Sequence, residues 1–234
     1  MSKRIRFFLG HLSSSVLVAL IILSLVFFVW YPAPFAHAEG VTHIFLMLIA
    51  IDVIVGPLLT LLVYKEGKKT LKMDLSVIII VQLIALSYGM YSIAQSRPVW
   101  IAQNGDIFQL VRGNAIDTSY QNQAKAEYRH NGWFKPQWVA VDETHPKYEV
   151  FGEQTLVPYL YTDLKHANPR IVRNSQFLAA LNQFNDPEKV QKILQQYPTA
   201  TKWMPLRTTD LGVTVLVDAQ GGIVKVVDLR PWKE

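Results

Sequence analysis

Long apolar runs fill most of the first 95 positions of the chain, and shorter alternating patterns follow them. Three of these runs, at residues 10–30, 41–64 and 75–95, are each about 20 residues long, the length that a helix needs to cross a hydrocarbon layer of roughly 30 Å. Trp and Tyr residues lie near several of their ends, as in the aromatic belts of membrane proteins. The pattern predicts a membrane α-helical N-terminal unit with three transmembrane helices in residues 1–96.

Residues 97–234 carry two hairpin patterns. Asn104-Gly105 and Gly221-Gly222 are turn signals that lie between strand-like segments. We therefore expect hairpins at residues 98–113 and 213–229.

Between the two hairpins, the sequence predicts three short helices, at residues 116–126, 174–184 and 187–197. Asn174 or Ser175 is expected to cap the second helix. Asp186, which precedes Pro187, is expected to cap the third. Residues 97–234 should thus form an extracytoplasmic α+β domain of about 135 residues, large enough to have its own core.

The loops between the apolar runs predict the direction of the chain. The N-terminus and the KEGKKTLK loop are rich in Lys and Arg, whereas the YPAPFAHAEG loop has neither. Basic loops favour the cytoplasmic side of a membrane. We expect a multi-pass protein of a bacterial inner membrane, with a cytoplasmic N-terminus and a periplasmic C-terminal domain.

A secretory signal is an alternative interpretation of the first 38 residues. They have a basic start, an apolar centre and Ala36-His37-Ala38, which fits the small-x-small pattern of a cleavage site. The apolar centre is long for a signal peptide, and Pro32 and Pro34 suit a tight connection between two spans. Whether residues 1–38 are removed stays open at this stage.

Charge and composition exclude several kinds of function. The net charge is +5, but residues 96–234 contain sixteen Lys and Arg against fourteen Asp and Glu. Because the basic clusters flank the membrane spans, they indicate orientation and not nucleic-acid binding. The chain has no cysteine, so it has no disulfide, thiolate nucleophile or Cys-based zinc site.

Asp52 is the most unusual residue of the membrane region. It lies near the middle of the second span, ~17 Å from either side. A charge at that depth costs at least ~2.5–3.5 kcal/mol, so Asp52 should be neutral or have a polar partner. Counting along the other two spans places Ser24, Ser87 and Tyr88 near the same depth, and Gln82 about one and a half turns closer to the cytoplasm. A hydroxyl or amide from any of these four residues could be the partner of Asp52.

Gly56 and Pro57 follow Asp52 closely. Glycine lets a neighbouring backbone approach, and Pro57 cannot donate to the carbonyl of Val53, which favours a kink. We take Asp52, Gly56, Pro57, Gln82, Ser87 and Tyr88 as a candidate intramembrane polar site. Two interpretations stay open: Asp52 joins the three helices, or it contacts a polar group of a partner helix. Because no second acid lies deep in a span, paired-acid proteolysis is disfavoured.

Other chemical signals are weak. His130, His145 and His166 lack the spacing of a metal site, and the sequence has no phosphate-binding glycine loop or nucleophile elbow. We therefore predict no catalytic residues, no metal and no cofactor. The aromatic residues of NGWFKPQW are more typical of a core, but if exposed they would suit a protein contact. These candidate contact residues are Trp133, Phe134 and Trp138.

Several motifs together resemble one family. They are Asp52, Gly56-Pro57-Leu58-Leu59-Thr60, Lys72-Met73-Asp74-Leu75, Gln82, Tyr88-Gly89 and Arg97-Pro98. In combination they resemble the type IV pilin accessory proteins of the TfpX/TfpZ group, most clearly over residues 41–100. The resemblance implies an inner-membrane protein that acts with the major type IV pilin, and with other pilus assembly components, in pilus biogenesis. It supplies no catalytic residues.

The resemblance also implies a form of contact. Before assembly, type IV pilins are anchored in the bilayer by an apolar N-terminal helix that carries an acidic residue near its start. A small helical bundle with polar groups could hold that helix laterally while the outer domain contacts the pilin head. One alternative is a membrane sensory protein with a ligand-binding periplasmic domain. It is weakened because only short loops are expected in the cytoplasm, where such a protein needs an output domain. The other alternative is a membrane enzyme, which is weakened because the sequence shows no set of catalytic residues.

Overall fold

A computed structural model describes residues 2–233 of the chain. The chain forms two compact units. The helical unit comprises the described residues up to Val29 together with Val41–Gln95, and the C-terminal domain comprises Trp30–Gly40 together with residues from Ser96 onward.

Three long helices build the helical unit, and each is long and apolar enough to cross a membrane. They are α1 (Lys3–Ser24), which continues as a π-helical turn over Leu25–Trp30, α3 (Val41–Val63) and α4 (Leu71–Ser96). A short helix, α2 (Phe35–Ala38), lies between the first two. The three predicted long apolar helices are confirmed, and two of them begin several residues earlier than predicted because polar first turns extend them.

Helix α1 packs along α3 in the antiparallel direction. The Phe27 and Phe45 rings meet edge to face at one end, with centroids 5.7 Å apart. At the other end, the Nε atom of Arg4 donates to the Leu61 carbonyl at 2.6 Å. Helix α4 approaches α3 at two glycines: a Cβ at residue 56 or 89 would overlap a side chain of the neighbouring helix.

The C-terminal domain is built on one mixed eight-stranded sheet with the order β4-β3-β1-β2-β6-β7-β8, and β5 pairs with β6. Its strands are β1 (Pro98–Asn104), β2 (Ile107–Arg112), β3 (Gln137–Val141), β4 (Tyr161–Thr162), β5 (Gln176–Phe177), β6 (Lys202–Arg207), β7 (Val213–Val217) and β8 (Ile223–Val227). Two helices, α5 (Asn168–Asn174) and α6 (Pro187–Leu194), accompany the sheet. Both predicted hairpins are confirmed.

Residues 30–40, the connection between the first two spans, are part of the C-terminal domain. Phe35 and Ala38 are buried in the same apolar cluster as Ile101 and Phe108 of the sheet. The Ala38 carbonyl accepts hydrogen bonds from the Leu211 amide at 3.0 Å and from the hydroxyl of Thr208 at 2.8 Å. We call this connection the strap.

Glu39 anchors the end of the strap. Its carboxylate accepts from the Thr209 amide at 3.0 Å and from the Thr209 hydroxyl at 2.9 Å. Burial raises the pKa of Glu39 above its ordinary value, although both hydrogen bonds from Thr209 oppose the shift.

Two of the three predicted short helices are wrong. Residues 116–126 form 3-10 turns and extended segments, since local side chains compete with a helix: Asp117 accepts from the Ser119 amide at 2.8 Å. The second predicted helix, at residues 174–184, does not form as one element. Its range contains the end of α5, strand β5 and a 3-10 helix, because Gln176 and Phe177 pair with β6.

The third short helix is confirmed as α6. Asp186 caps it, since its carboxylate accepts from the amides of Glu188 and Lys189. The cap predicted at Asn174 or Ser175 is absent from the described structure. Asn174 is instead the last residue of α5, and its side-chain amide donates to the Gly105 carbonyl at 2.8 Å.

Candidate intramembrane site

Asp52 and Gln82 meet between α3 and α4. The Nε2 atom of Gln82 donates to the backbone carbonyl of Asp52 at 3.0 Å and approaches the Asp52 carboxylate at 3.4 Å. The shorter hydrogen bond therefore goes to the backbone of Asp52. Asp52 also lines a groove.

Gly56 creates the space for this contact. A Cβ at residue 56 would overlap the carboxamide of Gln82, so glycine at this position lets the amide lie against the backbone of α3. Pro57, the next residue, is also buried and lies inside α3. The carbonyl oxygen of Gln82, Oε1, is buried and accepts no hydrogen bond from any described residue.

An open groove of about 970 Å³ lies within the helical unit, with α1 and α4 as its walls. This volume is at the upper end of the range for small-molecule pockets, ~300–1,000 Å³. The apolar lining includes Val18, Ile79 and Leu86. Asp52 is the only acidic residue among the described residues that line it.

One end of the groove is cationic. Lys3, Arg6 and Lys72 line it there. Lys3 forms an ion pair with Glu66, whereas Arg6 and Lys72 form no ion pair with any described residue. An acidic group that enters from this end would therefore meet two available cations.

Polar side chains from α1 line the middle of the groove. The Nδ1 atom of His11 lies 2.7 Å from the hydroxyl of buried Thr60 on α3. Ser14 and Ser15 follow His11 along the same wall. Sequence reasoning missed these residues because they lie at the polar start of an apolar run; their spacing along one helix face was the available signal.

The structure brings only part of the predicted polar site together. Asp52, Gly56 and Gln82 are in contact. Ser24 instead donates to the Leu20 carbonyl of its own helix at 2.8 Å. Ser87 and Tyr88 are exposed on α4, with 74% of Tyr88 accessible. Depth alone placed these residues near Asp52, but the direction of each side chain around its helix separates them from it.

The predicted contact aromatics lie in different surroundings. Trp133 and Phe134 are 65% and 74% exposed. Trp138 is half-buried on β3 and packs edge to face on Phe108, with centroids 5.3 Å apart. A core role therefore holds for Trp138 and not for the other two.

The C-terminal domain contains a polar cavity of about 440 Å³ beside Arg170. The guanidinium of Arg170 is already engaged: it donates to Gln103 and the Val141 carbonyl, and it lies 2.9 Å from Glu143. All three guanidinium nitrogens are held by protein groups, so the network is structural. No cluster of three or more metal-ligating side chains occurs among the residues that the structure describes.

Comparisons with known proteins place the chain in a family. The model of the fimbrial assembly protein FimB matches residues 1–40, which include α1 and the strap. The fimbrial assembly protein of serogroups C1 and C2 of Dichelobacter nodosus is 38% identical over 103 residues, which cover 43% of this chain and 79% of that protein. The chain belongs to the fimbrial assembly protein family.

Two longer relatives in this fimbrial assembly family come from the same organism. The serogroup E1 protein is 36% identical and the serogroup I protein 35% identical, each over 133 residues, or 56% of this chain. The matched segment spans about half of each relative, 52%. No solved structure matches the chain. The relatives agree with the resemblance at the level of fimbrial assembly, and the narrower TfpX/TfpZ grouping stays a prediction.

Proposed function

We propose that this chain is an inner-membrane accessory protein that assists type IV fimbrial biogenesis by holding the apolar helix of the major fimbrial subunit in the groove between α1 and α4. The names of its relatives support a role in fimbrial assembly. The observation that carries the proposal is the groove itself, which is apolar along its walls, polar in its middle and cationic at one end.

The charges of the groove fit the expected subunit helix. A subunit whose head lies outside the cell and whose apolar N-terminal helix spans the bilayer begins at the cytoplasmic side. Arg6 and Lys72 are expected on that side because basic termini and loops favour it. The acid near the start of the subunit helix would then lie near these cations, and an opposite charge within a few ångströms favours its ionised form.

The polar contact deeper in the groove would align the subunit helix. Asp52 lines the groove there and favours a polar partner on the subunit helix, since leaving a buried polar group unpaired costs ~1–3 kcal/mol. Apolar contact alone distinguishes a helix from lipid weakly, because lipid tails are as apolar as leucine. Polar groups at two depths would therefore give the groove its preference for one helix. The protein carries out no reaction of its own in this role.

A deletion strain tests the function. Fimbrial subunit sheared from the cell surface is compared with total cellular subunit. Loss of surface subunit with an unchanged total places the protein at assembly or retraction, and a second deletion of the retraction motor separates these two. Loss of both pools indicates protection of the membrane-stored subunit. If neither pool changes, the proposal is rejected.

Complementation tests the groove. The double substitution Arg6→Gln and Lys72→Gln should leave the deletion uncorrected. The matched control is Lys65→Gln with Lys69→Gln, which removes the same charge from two exposed residues that do not line the groove. The proposal requires that the control restores surface subunit. If both variants fail to restore surface subunit, the cause would be the loss of positive charge that orients the chain in the membrane, and not the groove.

A further inference from the structure

The loop of residues 131–136, NGWFKP, presents adjacent aromatic side chains to the surroundings. Trp133 is 65% exposed and Phe134 is 74% exposed. Of the large apolar residues that are exposed in the described part of the C-terminal domain, these two alone are neighbours in sequence. Pro136 is buried and fixes one end of the loop. We call residues 131–136 the aromatic loop.

The sheet places the aromatic loop at the end where the chain leaves α4. Strand β1 starts two residues after the last residue of α4, Ser96. Strand β3 runs parallel to β1, with Trp100 paired to Gln137. Because parallel strands start at the same edge of a sheet, the loop that leads into β3 lies beside the start of β1.

Arg97 ties the loop to that position. It is the first residue after α4 and is itself buried. Its Nη2 atom donates to the Gly132 carbonyl at 3.0 Å, and its guanidinium carbon lies 4.7 Å from the centre of the Trp133 ring. Arg97 therefore holds the aromatic loop beside the point at which the chain enters the C-terminal domain.

The composition of the loop suits a lipid interface. Trp is enriched where the hydrocarbon layer meets the headgroups, since its ring is apolar on one side and polar on the other. Lys135, the next residue in sequence, is also exposed, and residues 129–137 contain no Asp or Glu. A lysine near a membrane surface adds attraction to anionic headgroups.

We propose that the aromatic loop is an interfacial anchor that inserts Trp133 and Phe134 into the headgroup region of the leaflet facing the C-terminal domain. The partner is the lipid bilayer. The anchor adds a third attachment to the two chain connections, at the strap and at Ser96.

A single label can test this anchor, because the chain has no cysteine. The full chain with Phe134→Cys is labelled with an environment-sensitive fluorophore and reconstituted into vesicles of phosphatidylethanolamine and phosphatidylglycerol. The control is Phe177→Cys, an equally exposed position at 75%. Phe177 pairs with Lys202 at the start of β6, and β6 runs parallel to β2, which is antiparallel to β1. The control therefore lies at the opposite end of the sheet.

The anchor predicts that lipid-attached quenchers reduce the fluorescence at residue 134 and that iodide quenches it several-fold less than at residue 177. Equal iodide quenching at both positions would overturn the proposal. Shielding that develops only when fimbrial subunit is co-reconstituted would also overturn it and would assign the loop to a protein contact. In vesicles without phosphatidylglycerol, residue 134 should be less protected from iodide, since Lys135 then lacks its anionic partner. Equal protection in both kinds of vesicle would show that anionic headgroups do not contribute to the anchor.

Discussion

Gln82 donates to the backbone carbonyl of Asp52 at 3.0 Å and so joins α4 to the middle of α3. The shorter contact uses a group that any residue would supply, the carbonyl oxygen, and the Asp52 carboxylate has a longer contact of 3.4 Å with the same amide. Asp52 also lines the groove. Because the backbone of Asp52 makes the shorter contact with α4, we expect its carboxyl group to face a partner helix.

The close approach at Gly56 predicts a steric effect. Gly56→Ala should destabilise the helical unit, because its Cβ would overlap the Gln82 carboxamide. Overpacking of this kind costs ~1–3 kcal/mol. Unfolding of the full chain in mixed detergent micelles measures the change. Gly10→Ala is the control, since a Cβ at residue 10 would meet no atom within 4 Å.

A second substitution identifies the cause. Combining Gly56→Ala with Gln82→Ala removes the overlapping carboxamide. The double variant should recover most of the stability lost in Gly56→Ala, apart from the lost interhelical hydrogen bond, worth ~0.6 kcal/mol on average. If the two losses simply add, the overlap is not the source of the effect.

Substitutions of Asp52 separate a joining role from a partner-facing role. Asp52→Leu removes a polar group from the middle of the membrane, which favours insertion by up to ~3 kcal/mol. We expect the variant to be at least as stable as the native chain and to restore less surface subunit to a deletion strain. Asp52→Asn should restore more. A clear loss of stability and abundance in Asp52→Leu would show that Asp52 joins the helices.

Glu39 predicts a pH dependence of stability. Its pKa is raised in the folded chain, mainly by burial, from an ordinary value of 4.5. The folded chain then binds this proton more tightly than the unfolded chain, so its contribution to stability is present below the unfolded pKa and is lost as pH rises through the folded pKa. Relative to Glu39→Gln, the native chain should therefore lose stability from about pH 4.5 upward.

Thermal unfolding in detergent at a series of pH values measures this difference. Glu149→Gln, at an exposed position, should show no comparable trend. A native chain that gained stability relative to Glu39→Gln with rising pH would reverse the sign and contradict the assignment.

The strap predicts that residues 1–38 stay attached. Ala38 is fully buried, and its carbonyl accepts hydrogen bonds from Leu211 and Thr208. Cleavage after Ala38 would separate Phe35 from the core that contains it. A chain tagged at both ends should give one species that carries both tags. A shorter species with only the C-terminal tag would support the signal-peptide interpretation.

The sequence predicts the features that depend on local pattern. Apolar length is enough for the three spans, and turn chemistry at Gly105 and Gly221 is enough for both hairpins. Features that depend on distant contacts are missed. The strap has no strong apolar period, and β5 forms only because β6 is available to pair with it. In the membrane, depth counting ranked Ser87 and Tyr88 nearer to Asp52 than Gln82, whereas Gln82 is the residue in contact. Counting fails here because it takes no account of the direction in which each side chain leaves its helix.

Site-specific crosslinking in cells tests whether the groove holds the fimbrial subunit helix. A photoreactive p-benzoylphenylalanine replaces Ile79, which lines the groove on α4, or Ile84, which is exposed on the same helix outside the groove. A helix held in the groove should crosslink to residue 79 and little or not at all to residue 84. Equal crosslinking from both positions, or none from residue 79 in cells that assemble fimbriae, would contradict this proposal.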